Sequence, residues 1–341
     1  PPPPRHDTLG LTMKGRLRRR IVGLAICAVV GMTAPGCGRE QTPDPSPARA
    51  GNPAGPASGI AVGDVVVGRA AAGGRVWLLT LAHNLIAIDI ERGAADQVAV
   101  RDIPPVENLW GLARLDDGAL WTLVGRHSLG QLAEDGRIVR RIDLRAPHLG
   151  LFASGADLVY HVFGVDPPAP ALTAGPPGES NRRAWGVLQT RVFDRPRAEA
   201  VVLNLVSCGL GDRGLLPCWF PGQTSVAVVD REGTGRVIQL AGMASQSPDE
   251  VLMSSNPARP VRDVYALRDG DVWVLSSTVA DGAVVSPGAA YELSWWLKRF
   301  SPEGQLRDIV AVPESARLIL SRSGRTLVLL TAAGTILRVN I

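Results

Sequence analysis

The sequence predicts an all-β fold, a six-bladed β-propeller of four-stranded antiparallel blades. From Ile60 onward the apolar residues alternate with a period of two rather than 3.6, which is strand rather than helix patterning. One unit recurs: an apolar run, a Gly-containing turn, an aromatic-centred apolar run, a loop, a run ending near Asp/Glu-Gly, and a last alternating run. The centres of its second strand fall at Trp77, Trp121, Tyr160, Trp219, Trp273 and Val328, with spacings of 44, 39, 59, 54 and 55 residues. Four short strands with tight turns take roughly 40–45 residues, so the longer spacings carry insertions. The 38 Gly and 27 Pro among 341 residues suit many turns and oppose long helices.

The chain opens with an address. Residues 1–12 read as an upstream extension without pattern. Residues 13–36 read as a signal peptide: a basic MKGRLRRR, then an apolar stretch from Ile21 to Ala34. That stretch is short of the ~20 residues a bilayer core requires. It ends in small residues before Cys37 and resembles a bacterial lipobox, with Gly36 in place, Ala34 where Leu is usual, and Pro35 an odd neighbour. The resemblance implies acylation of Cys37, and a diacylated cysteine supplies the two lipid chains that stable anchoring requires. Residues 37–59 carry that cysteine and a Pro/Gly/Ala-rich flexible linker with no aromatic or large aliphatic residue. The expected partner of this end is a lipid bilayer, and the expected location is the cell envelope, facing periplasm or exterior.

Charge fits that division. Of the 36 basic residues, six lie within residues 1–36 against Asp7 alone, and the remaining chain holds 30 basic and 31 acidic side chains. The sequence pI of about 9.2 therefore belongs to the leader, and a nucleic-acid partner is not expected.

Residues 60–341 form the propeller. Its clearest units are 108–144, 261–313 and 65–103. The ending, from Ala316 to Ile341, is the same unit with its last strand missing. An open blade leaves a pairing edge, and Ile60-Ala61-Val62 is expected to supply the missing outer strand. Insertions are expected at 164–184 and 279–291, on the face carrying the blade-to-blade links, and an irregular stretch at 241–260. Cys208 and Cys218 remain as one pair in an exported body, expected as a disulfide. A redox pair or two metal ligands is the alternative, without C-x-x-C spacing or a nearby His to support it.

The units DDGALWTLV…LAEDGRIVRRI and RDGDVWVLSS…FSPEGQLRDI resemble six-bladed repeats of the NHL and related bacterial families. The resemblance spans residues 60–341 and implies architecture. Its members include binding scaffolds, lyases, lactonases and sensor ectodomains, so fold alone selects no activity.

Candidate site residues cluster on the link face. His83 and His127 each follow a blade Trp by six residues and occupy equivalent turns. His148 and Trp110 lie near links, and Arg182 and Arg183 lie in the first insertion. Together they are the ligand-binding candidates of one rim. The plainer reading makes the turn histidines solvated, His161 a core residue, the blade tryptophans packing, and the arginines surface charge. The Asp-Gly and Ser-Gly turns of the opposite face (Asp117-Gly118, Asp269-Gly270, Ser323-Gly324) read as turn chemistry. No G-x-S-x-G, Walker loop, H-E-x-x-H or zinc spacing occurs. No catalytic residue, metal or cofactor is assigned. The preferred expectation is a membrane-tethered, monomeric scaffold that binds a protein, peptide or glycan. The alternative is a propeller-type lyase or lactonase using the rim histidines.

Overall fold

The computed structural model describes residues 49–50, 62, 64–103, 107–162, 169–178, 182–253, 258–279 and 292–341. Residues 13–36, expected as a signal peptide, Cys37, and most of the expected linker lie outside the described residues. The exception is β1 (Arg49–Ala50).

Six antiparallel sheets follow in chain order. Blade one holds β2 (Val66–Ala72), β3 (Arg75–Thr80), β4 (Asn84–Asp89) and β5 (Ala94–Ala99). Blade two holds β6 (Leu109–Arg114), β7 (Leu120–Val124), β8 (Ser128–Leu132) and β9 (Ile138–Asp143). Blade three holds β10 (His148–Ser154), β11 (Asp157–Val162), β12 (Leu172–Gly175) and β13 (Arg183–Ala184). Blade four is built from β14 (Ser207–Cys208), β16 (Leu216–Trp219), β17 (Ser225–Val229) and β18 (Gly235–Gln239), with β15 (Leu210–Gly211) leaving the sheet. Blade five holds β19 (Arg259–Ala266), β20 (Val272–Val279), β21 (Leu293–Phe300) and β22 (Leu306–Val312). Blade six holds β23 (Ala316–Ser323), β24 (Thr326–Thr331) and β25 (Ile336–Asn340). All six expected centres, Trp77 to Val328, lie in second strands.

Burial explains the patterning. A second strand packs against a neighbouring blade on each face, so β7 reads LWTLV and is buried throughout. The outer strands β5 and β9 are mostly exposed and read AADQVA and IVRRID. Six apolar clusters fill the six gaps between blades. The one between blades six and one, with Leu78, Ile88, Leu320 and Val328, shows that the ring closes. Around the channel the inner strands approach backbone to backbone. A Cβ on Gly68 would lie 2.4 Å from Gly111 carbon, and one on Gly111, at φ +67°, would lie 2.7 Å from Leu151 nitrogen. Only glycine fits both positions.

Closure of blade six follows a recurring bond. In blades one, two and four the residue after the outer strand donates its N–H to the turn before the third strand: Val100 to His83, Leu144 to His127, Leu240 to Thr224. Val62 makes the equivalent bond to Gly334 at 2.6 Å and is buried between blades six and one. Residues 60 and 61 of the expected closing strand lie outside the described residues. Among the described residues blade six has three strands. The linker pair β1 instead lies parallel to β22, at the outer edge of blade five.

The insertions are redrawn. Much of 164–184, expected as a rim loop, is blade itself, since β12 and β13 are its third and fourth strands. These strands are short and flanked by Gly and Pro, so their period of two is too brief to read. The larger excursion runs from 185 to 206 and holds α1 (Arg197–Leu203). The irregular stretch before blade five holds α2 (Pro248–Met253). Arg195 joins the two through Asp249 at 2.9 Å and Glu199 at 3.5 Å. Residues 280–291 lie outside the described residues.

Candidate functional site

The inner strands of all six blades enclose a channel with a cavity of about 990 Å³. Its centre is crossed by one ion pair. Arg69 of β2 reaches over to Asp263 of β19 and donates from both terminal nitrogens to the two carboxylate oxygens. Arg69 also donates to the carbonyls of Ile319 at 3.0 Å and Cys208 at 3.3 Å. The backbone amides of Val264, at 2.9 Å, and Ile319 donate to the same carboxylate. The side chains are 9% and 1% exposed. A bidentate pair with its remaining donors and acceptors filled is the geometry in which two desolvated charges hold each other. It ties blades one, four, five and six together at the axis.

The channel opens among the turns that join first and second strands. The hairpin of blade four is unlike the others there. Its first strand breaks after Cys208, and β15 pairs in parallel with β19 of the next blade, Leu210 opposite Tyr265. Cys208 and Cys218 stand opposite each other in the β14–β16 pair and form a disulfide, as the cysteine count implied. The tip is Asp212-Arg213-Gly214. Arg213 has φ +55°, the left-handed region that a side chain makes costly.

This tip collects charge from around the channel. Asp212 accepts from the Tyr265 hydroxyl at 3.1 Å, the Arg268 amide at 3.2 Å and the Arg322 guanidinium at 3.2 Å. Burial, then the Asp212 carboxylate, pushes the Tyr265 hydroxyl above its ordinary range. Arg231 donates to the Arg213 carbonyl at 3.3 Å and to Asp116 of blade two at 2.9 Å. The whole lining holds eight arginines, at 69, 75, 114, 213, 231, 262, 268 and 322. Against them stand four acids, Glu91, Asp116, Asp212 and Asp263. A body with matched charge therefore concentrates its arginines here.

The rim residues singled out in the sequence divide. His148 and Arg182 meet in a buried stack with Tyr160. The guanidinium lies 3.6 Å from the Tyr160 ring centroid and donates to His148 Nε2, and the two rings are 5.1 Å apart. Burial, and then the Arg182 charge, lowers the His148 pKa to about 4, so the ring is neutral and free to accept. His127 is exposed on the adjoining turn, where His148 donates its backbone N–H to the Arg126 carbonyl at 2.9 Å. His83 occupies the equivalent turn of blade one at φ +61°. Trp110 is half-buried at the start of β6, beside the channel. Arg183 is exposed and pairs with Asp157 at 3.2 Å. His161 is a core residue that donates to the Asn204 carbonyl at 3.0 Å, and burial lowers its pKa to about 4. Among the described residues no three His, Cys, Asp or Glu side chains group so as to hold a metal ion.

The arginine-lined mouth escaped the sequence reading, which took these turns as turn chemistry alone. That reading describes Asp117 and Asp269 well: each accepts from the amide two residues on, at 2.9 and 3.1 Å. What it missed are their neighbours Asp116 and Arg268, and the D-R-G tip between the cysteines. A left-handed arginine before glycine inside a disulfide loop leaves little trace in one sequence.

No family model and no curated protein matches the chain. Solved structures do. A member of the DUF4221 family from Bacteroides vulgatus is similar over 82% of this chain and 92% of its own, with TM-score 0.52 and 11% identity. Virginiamycin B lyase from Staphylococcus aureus covers 82% of this chain and 95% of its own, with TM-score 0.46 and 11% identity. A calcium-binding regucalcin from Agrobacterium tumefaciens covers 81% and 90%, with TM-score 0.45 and 10% identity. At such identities the likeness shows the fold. The chain is a six-bladed β-propeller.

Proposed function

We propose that this chain is an exported, membrane-tethered propeller that acts as a binding scaffold, with a peptide, protein segment or glycan entering the arginine-lined channel mouth. The observation that carries the reading is the cavity of about 990 Å³, roofed by the disulfide-bonded hairpin and ringed by arginine. Concave sites of roughly 300–1,000 Å³ with a few convergent polar groups are where ligands are held. Export and tethering are supported by the MKGRLRRR leader, the apolar run before Cys37, and a cysteine pair suited to an oxidising compartment. The lyase or lactonase alternative gains less support, because His148 is buried, neutral and engaged by Arg182.

Two experiments test the proposal. Cells fed an alkyne-tagged fatty acid should label the chain, and Cys37→Ala should abolish the label and release the protein from membranes. Persistence of membrane association in that variant would exclude acyl tethering. Peptide and glycan arrays should yield ligands for the full chain, and Ser323→Trp, which narrows the mouth from an exposed lining position, should remove them. Ligands indifferent to Ser323→Trp would move the site away from the channel.

A further inference from the structure

We infer that the channel mouth holds an oxyanion, a phosphate or carboxylate group of its ligand, between Arg213 and Arg268. This rests on the mouth being the binding site and adds the ligand's chemical class. Four arginines, 213, 231, 268 and 322, surround the hairpin tip with two carboxylates. Asp212 is committed to Arg322 and Tyr265, and Asp116 to Arg231. The guanidiniums of Arg213 and Arg268 have no carboxylate partner among the described residues, and both residues are exposed at the channel lining. Two guanidiniums without a carboxylate partner at one lining match the acceptor-rich, doubly charged edge of a phosphate or a carboxylate pair.

Arg213 adds an independent argument. It sits at φ +55°, ψ +32°, immediately before Gly214 at φ +78°. Glycine or asparagine at 213 would relieve the backbone, yet an arginine stands there. Among the described residues the Arg213 side chain makes no ion pair, and the bond to Arg231 uses the Arg213 carbonyl. Strain kept at an exposed position, without local use for the side chain, points to a ligand.

The test is calorimetric titration of the full chain in detergent, with inorganic pyrophosphate as the phosphate probe and tricarballylate as the carboxylate probe. At least one should bind at low salt and weaken as salt screens the mouth. Arg213→Gly and Arg268→Ala should each weaken that binding about tenfold, equivalent to ~1.4 kcal/mol. Arg137→Ala, an exposed residue paired with Asp135 on another turn, should leave it unchanged. Arg213→Gly should also raise the melting temperature, which separates lost binding from lost folding. Preference for one probe identifies the source of the oxyanion. Absence of binding by both probes, or binding indifferent to both arginine variants, would overturn the inference. If array ligands still depended on Ser323 in that case, the channel would remain the binding site and only its oxyanion chemistry would fall.

Discussion

Blades two and four are built from the same unit and differ where it matters. The inner strand of blade two runs unbroken from Leu109 to Arg114, turns through Asp117-Gly118, and returns as β7. Its hairpin closes on its own backbone, Leu115 with Ala119 and Gly118 with Leu115, while Asp116 reaches out to the Gly155 carbonyl and to Arg231 without breaking the strand. The inner strand of blade four stops at Cys208, crosses to blade five through β15, and returns to a loop that a disulfide closes beside the Gly209–Pro217 backbone bond. Helices precede and follow this blade along the chain and meet through Arg195. A repeat whose hairpin closes on its own backbone keeps its inner strand whole. A repeat whose bonds are handed to a neighbour and to a covalent link has given up local stability to place Asp212 and Arg213 over the channel.

The largest expected effect strikes what both blades depend on, the axial pair. Arg69→Ala leaves Asp263 buried without its counter-charge and should cost about 3–5 kcal/mol of folding stability, read by urea denaturation. A double variant, Arg69→Met with Asp263→Leu, should recover much of that loss. Reduction of Cys208–Cys218 should cost up to about 3 kcal/mol for a loop of this length. Hydrogen exchange should localise the opening to 207–219 while blade two stays protected. Equal loosening of blade two would erase the contrast.

Acid should act next, through the irregular side. The His161 pKa is lowered by burial to about 4 where it meets Asn204, the residue that ends α1. The unfolded chain then takes up protons first, so stability is full above pH ~6.5 and falls by up to ~1.4 kcal/mol per pH unit toward pH 4. His161→Gln should remove this share of the slope and leave the similar share that His148 contributes over the same pH range. The smallest effects have opposite sign in the two hairpins. Gly118→Ala, at φ +89° in blade two, should destabilise by about 1 kcal/mol. Arg213→Gly in blade four should stabilise by a few tenths to about 1 kcal/mol, visible as a small rise in melting temperature. A loss of stability there would mean that the arginine side chain holds the hairpin.

The blade count and the second strand of every blade are legible in one dimension, because those strands are buried on both faces and must be apolar. The cysteine pairing is legible too, since two cysteines remain in the body. His161 reads as core because it lies inside the strand DLVYHV. Other features arise only from contacts between distant parts of the chain. The strands of 164–184 are too short to show a period. Helix α1 is seven residues long and has no side-chain cap at its N-terminus. The Arg69–Asp263 pair joins residues 194 apart, and nothing local to either marks the other. The mouth is assembled from turns of separate blades, each ordinary by its own spacing. Periodicity is a local property and is written along the chain. A charged site across a ring exists only once the ring has closed and brought separate turns to one axis.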